Sequence, residues 1–103
     1  MAGLRLTPAA EASVAKASAW WRDNRSASPD LVEAEFAAAC ALLAEAPLGG
    51  RPAARRGIPG LRRVLPPATR HHLYYVFTAV TQEVVVLVLW SAIRRRGPRL
   101  AQP

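Results

Sequence analysis

The stretch that decides the fold is Glu83-Val84-Val85-Val86-Leu87-Val88-Leu89-Trp90, seven apolar residues in succession with β-branched side chains dominating. A run of this length is a strand rather than a helix, and a strand apolar at every position must be covered on both faces. It is therefore interior to a sheet. Just before it, residues 71–78 alternate, with Leu73, Tyr75 and Phe77 on one face and His72, Tyr74 and Val76 on the other. The connector near 79–83 suits a hairpin, and residues 61–65 supply one more strand before it.

Working towards the N-terminus, the segment 47–60 holds four Gly and three Pro and reads as a long loop carrying Arg51, Arg55 and Arg56. Residues 29–46 place Val32, Phe36, Ala39 and Leu43 at helical spacing, with Ser28 as the expected N-cap and Asp30 in the first turn. Ser26-Ala27-Ser28-Pro29 separates this helix from an earlier one, where Ala10, Val14, Ala17 and Trp21 share a face up to residue 24. That first helix opens on Thr7 as N-cap, Pro8 at its first position and Glu11 near the positive end of its dipole. Residues 3–7 alternate as a short opening strand. The predicted order is β-α-α-β-β-β, an α+β fold in which an N-terminal helical hairpin packs on a small, mostly antiparallel sheet. A chain of 103 residues supports one such domain, 1–103.

The charge is segregated. Residues 1–46 carry four basic and six acidic side chains, whereas 47–103 carry ten basic residues and only Glu83 as an acid. Such asymmetry predicts an anionic partner: nucleic acid, a ribosome or an acidic protein segment. The basic C-terminal tail, 91–103, contains Arg94, Arg95, Arg96 and Arg99. Cys40 is the sole cysteine, set among alanines, so there is no disulfide framework and a reducing cytoplasm is the expected compartment. The N-terminus lacks the apolar core of a secretion signal. Thr78, Thr81, Gln82 and Glu83 interrupt the apolar stretch 73–93, well short of the ~20 residues of a spanning helix, so no membrane role is expected.

Several stretches together resemble the RelE/ParE toxin superfamily, along nearly the whole chain and in order. Leu4-Arg5-Leu6-Thr7-Pro8-Ala9-Ala10-Glu11 is similar to the family's strand and "T-P-x-A-E" helix start. Trp20-Trp21-Arg22-Asp23-Asn24-Arg25 resembles the close of that helix in one branch, and Pro47-Leu48-Gly49 the end of the second. Thr69-Arg70-His71-His72-Leu73-Tyr74-Tyr75 resembles the "R-Y-R-I-x-Y" strand, and 84–94 the closing strand with its trailing Arg. The resemblance implies a toxin of a type II toxin–antitoxin system, concerned with growth inhibition or plasmid stabilisation, that needs no cofactor and assembles with a cognate antitoxin in a hetero-oligomer. It also implies one of two targets. RelE-like members cut mRNA on the ribosome, whereas the ParE-like members of known target inhibit DNA gyrase.

RNA cleavage by in-line attack requires an acid, a base and cations around the phosphorane. The candidate nuclease residues here are Arg62, Arg63, Arg70 and Arg94. The family's late strand cations fall on Pro66 and Pro67, no Tyr or His follows Arg94, and Ser91 stands where the Trp-Trp branch often has His. The set is incomplete, and the sequence leans towards a non-nuclease, ParE-like inhibitor of gyrase or another large target. The alternatives are a ribosome-dependent endoribonuclease and an inactive relative that only binds an antitoxin. Expected target-binding residues are Arg94, Arg95, Arg96, Arg99, Arg51, Arg55 and Arg56; expected antitoxin-binding residues are Trp20, Arg62 and Arg70. Trp20 either covers the hairpin or anchors a partner. His71 and His72 point to opposite faces, one expected buried or half-buried and the other exposed, with no third ligand for a metal.

Overall fold

The computed structural model describes residues 1–53, 55–93 and 96–101. Strand β1 (Gly3–Leu6) is followed by helices α1 (Pro8–Asn24) and α2 (Leu31–Glu45), then by β2 (Arg51–Pro52), β3 (Arg62–Val64), β4 (His71–Thr78) and β5 (Glu83–Ser91). The α+β order stands, with one short strand added: 47–60 is a loop that contributes β2 to the sheet edge. The sheet runs β1-β5-β4-β3-β2, with β1 parallel to β5 and the other pairings antiparallel. The apolar run is thus interior, between β1 and β4.

Both faces of β5 are covered, by different means. The helices bury Leu73, Tyr75, Val84, Val86 and Leu89 together with Ala10, Val32 and Leu43. The opposite face buries Tyr74, Val76, Val85, Leu87 and Val88 under Ile58 and Leu61, with Trp90 and Leu100 packed alongside. Tyr74 pairs with Val88 and Tyr75 with Val86, so Leu87 is an extra residue in β5. This bulge turns Leu87 and Val88 to the same face and shifts every later residue by one step of the pleat.

α1 begins as its sequence dictates, with Thr7 Oγ1 accepting from Ala10 N at 3.1 Å and Pro8 in the first turn. Its polar residues do a second job. β1 ends at Leu6, so beyond Val86 the edge of β5 opposite β4 has no neighbouring strand. There Thr7 Oγ1 donates to the Leu87 carbonyl at 3.2 Å and Ser13 Oγ accepts from Leu89 N at 2.9 Å. α1 thereby closes a sheet edge that would otherwise stay unpaired.

α2 starts two residues later than the Ser28 cap would place it. Asp30 is its N-cap, without a side-chain cap bond, because Ser28-Pro29-Asp30 is spent on a turn in which Ser28 O accepts from Leu31 N. Glu35, half-buried on α2, reaches the turn before β4: Oε1 accepts from Thr69 N at 2.8 Å and Thr69 Oγ1 at 2.7 Å, and Oε2 from Ala68 N at 3.0 Å. Burial raises its pKa, but these hydrogen bonds and nearby His71 outweigh burial and hold it below 4.5. A depressed carboxyl stabilises the fold fully above its unfolded value, and that stabilisation disappears as pH falls through the folded value. Glu35→Ala should therefore cost about 1 kcal/mol at neutral pH and almost nothing once the carboxyl is protonated in acid. Urea melts at both pH values check this; an equal loss at both would show that the carboxylate is not the cap.

Candidate functional site

Three observations build the site: the end of α1, the arginines, and the sheet face away from the helices. Trp20 and Trp21 close α1. Trp21 continues the apolar face into the core, whereas Trp20 is 50% exposed. Their ring centroids lie 6.1 Å apart, and the Arg25 guanidinium stacks over both, at 5.4 and 5.9 Å. These residues form one wall of a groove of about 580 Å³, whose other walls are the turn 68–70, His71 and the end of β5 with Ile93. Lys16, Arg25 and Arg70 give it positive charge, and no acidic side chain among the described residues lines it. Trp21 Nε1 is buried nearby without a hydrogen-bond partner, and Ile93 is 80% exposed. A smaller apolar groove of about 260 Å³ lies between α2 and the turn after β3, bordered by Leu42, Leu65 and Pro67.

The sequence-predicted arginines do not converge on one point. Arg62 braces the 47–52 loop, donating to Gly50 O at 2.7 Å and Leu48 O at 3.2 Å. Arg63, its neighbour on β3, stands on the other face and donates to Tyr74 Oη at 3.3 Å. Arg70 is exposed in a left-handed conformation (φ 53°) at the start of β4, its carbonyl accepting from Ala92 N. Arg51 is exposed opposite Arg63, and Arg56 is exposed as well. Arg55 donates to the Pro98 carbonyl, tying the 53–61 loop to the C-terminal segment. Arg96 and Arg99 are exposed; Arg94 and Arg95 lie outside the described residues. The Arg96 carbonyl accepts from Trp90 Nε1 at 2.8 Å. Among the described residues, the two ion pairs, Arg5–Glu83 and Arg22–Glu33, both draw their arginine from the N-terminal half.

The two histidines differ from expectation. Both are half-buried, because the turn before β4 covers His71, whose Nδ1 lies 2.9 Å from Thr69 O, and Tyr74 covers His72. Tyr75 is core, as its alternation predicts. Its hydroxyl accepts from Gly50 N at 2.8 Å, and burial raises its pKa despite that bond and the nearby Arg62. Burial likewise pushes the Cys40 thiol to about 11, leaving it a small apolar residue. Among the described residues, no three His, Cys, Asp or Glu side chains cluster as metal ligands, and no helix is long and apolar enough to cross a membrane. Sequence reasoning missed His72, Tyr74 and Glu35 as members of polar clusters. Their partners lie on other elements, so no local spacing marks them.

Comparison with known proteins places this arrangement. The family model described as "ParE toxin of type II toxin-antitoxin system, parDE" matches residues 4–95. The chain belongs to the ParE toxin family. A chain from the chromosomal ParDE toxin–antitoxin system of P. aeruginosa superposes with a TM-score of 0.72 at 18% identity, covering 88% of this chain and 96% of that one. A chain of the intact E. coli RelBE toxin–antitoxin complex superposes with a TM-score of 0.55 at 18% identity, covering 91% and 100%. At that identity both likenesses establish the shared fold. No curated protein matches significantly. In this ParE-family chain the Trp20–Trp21 close of α1, one of the resemblances at the level of sequence, forms a wall of the groove.

Proposed function

We propose that this ParE-family chain acts as one domain over residues 1–103, in the cytoplasm, as a non-nuclease toxin that inhibits DNA gyrase or another large assembly and is neutralised by a cognate antitoxin. The observation that carries the antitoxin half is the groove beside α1. It joins an exposed indole, an unpartnered buried indole N–H and cationic walls that hold no acid among the described residues. Such a surface suits an acidic, amphipathic segment laid along the helices, and the apolar groove beside Leu42 and Leu65 extends its path. Trp20, Arg62 and Arg70 are the antitoxin contacts, with Arg62 also bracing the loop through the Gly50 and Leu48 carbonyls.

What supports inhibition over mRNA cleavage is the divergence of the candidate nuclease residues. Arg62 and Arg63 face opposite sides of the sheet, and Pro66 and Pro67 follow β3 where further cations would be needed. The target-facing residues on this reading are Arg51, Arg55, Arg56, Arg94, Arg95, Arg96 and Arg99.

Induced expression with and without a cognate antitoxin tests both halves. Growth should stop with a DNA-damage response and with translated mRNA intact, and co-expression should restore growth. Trp20→Ala should weaken the toxin–antitoxin complex by about tenfold or more with the thermal melt unchanged. Codon-specific mRNA cleavage lost on Arg94→Ala would overturn the inhibitor reading, and a co-expressed pair that fails to co-purify would overturn the antitoxin one.

A further inference from the structure

The turn that leads into β4 stands between the two grooves. Pro66 and Pro67 line the apolar one, and Ala68, Thr69 and Arg70 line the cationic one. The turn is held from outside. On α2, the Glu35 carboxylate accepts from Ala68 N, Thr69 N and Thr69 Oγ1, at 3.0, 2.8 and 2.7 Å. Arg70 N closes the turn on Pro66 O at 3.1 Å, and Arg70 O accepts from Ala92 N at 2.8 Å. Residue 70 is thus fixed on both sides.

What is fixed is a conformation that arginine rarely adopts. Arg70 has φ 53°, in the left-handed region where Cβ crowds the backbone and glycine or asparagine is the usual occupant. A strained residue persists only where its surroundings over-determine it, and such residues gather at functional sites. The arginine side chain gives the fold nothing in exchange. Arg70 is exposed, and among the described residues its guanidinium pairs with no carboxylate. Glu35 is spent on backbone N–H groups and on the buried Thr69 hydroxyl. What arginine adds over glycine is a charge on the turn wall of the groove, opposite the α1 wall with Lys16 and Arg25.

We propose that Glu35 is a positioning residue for partner recognition. Its carboxylate clamps the turn, and the clamp holds Arg70 where its guanidinium and the α1 cations together take an acidic side chain of the partner. This role rests on the antitoxin reading of the groove and names the residue that sets its charge in place. The same clamp serves both grooves. A partner segment lying in the two must cross Pro67 and Ala68, and the carboxylate fixes where they stand.

Two double-mutant cycles on the full-length chain test this role. The first is read by thermal melting and needs no partner. Arg70→Gly should raise the melting temperature by several degrees, since glycine occupies the left-handed region without strain. In a Glu35→Ala background the same change should gain clearly less, because an unclamped turn already escapes the strain. The second is read by affinity for the antitoxin that co-purifies with the chain. Glu35→Ala and Arg70→Gly should each weaken it by about tenfold, and the double variant hardly further. A purely structural Glu35 would instead weaken binding alike with and without Arg70. Arg70→Gly that fails to raise the melt, or raises it equally without Glu35, shows that the clamp stores no strain and overturns the proposal. Additive binding losses, or full affinity without Arg70, overturn it as well. If no antitoxin co-purifies, the antitoxin reading falls and takes the role of Arg70 with it, while the melts still decide whether Glu35 holds the strain.

Discussion

Replacing Arg94, Arg95 and Arg96 with alanine together is expected to abolish growth inhibition while moving the melting temperature by no more than about 3 °C. The three arginines are consecutive and follow β5, whose side chains fill both cores, after Ala92 and Ile93. Burying three adjacent unpaired guanidinium groups would cost several kcal/mol each, and Arg96 is exposed. What the segment gives the fold comes from elsewhere. Trp90 Nε1 bonds the Arg96 carbonyl, which alanine keeps; Pro98 is buried and receives Arg55; Leu100 packs on the second core. The fold therefore continues beyond Trp90, and among the described residues its contacts with the tail run through the Arg96 backbone, Pro98 and Leu100. Against an anionic target the same substitutions remove the charge that steers and holds the complex, an effect that fades with salt. Growth curves and melts on the same variant decide it. Retained toxicity overturns the proposed target surface, and a collapsed melt shows that the charged side chains themselves hold the tail.

Gly50→Ala is expected to destabilise the protein by about 2–3 kcal/mol, lowering the melting temperature by roughly 10–20 °C. A Cβ at Gly50 would sit 2.6 Å from Tyr75 Oη, 2.8 Å from Tyr75 Cε1 and 3.0 Å from the Arg63 carbonyl. Neither neighbour can yield cheaply. Tyr75 is fully buried, and Arg63 belongs to the β3–β4 ladder. The close approach exists because Gly50 N–H donates to Tyr75 Oη while Arg62 holds Gly50 O, and together these bonds pin the loop where it enters β2. Tyr75→Phe removes the acceptor and leaves Gly50 N–H buried and unpaired, a loss of about 1–3 kcal/mol. It also removes the nearest of the three clashing atoms, so the double variant should lose less than the sum of the two single ones. A Gly50→Ala protein that melts like the parent would show that the loop gives way more easily than its three anchors imply.

The parts legible in the sequence are those whose causes are local. Thr7 and Pro8 open α1 because capping and a fixed φ act within one turn. Ala10, Val14, Ala17 and Trp21 face the core because their spacing alone puts them on one side. Val84 to Leu89 had to be interior because no exposed strand tolerates so many apolar side chains. The segregation of arginine into the second half, and with it an anionic partner, is likewise a property of the chain. Tertiary structure decided what depends on residues far apart. The bulge at Leu87 is set by how β4 docks on β5, and it fixes which side chains fill which core. The loop before β3 gains a strand through Tyr75, Arg62 and Gly50, drawn from three separate segments. Arg62 and Arg63, neighbours in sequence and grouped as one site on that basis, part to opposite faces and different tasks once β3 has joined the sheet. Trp20 meets Arg70 across the groove, and His72 meets Arg63 across the sheet, only because strand pairing joins segments that local spacing leaves independent. Backbone propensity acts over a few residues, whereas register and contact between elements are fixed by burial of the whole core, which no short window contains.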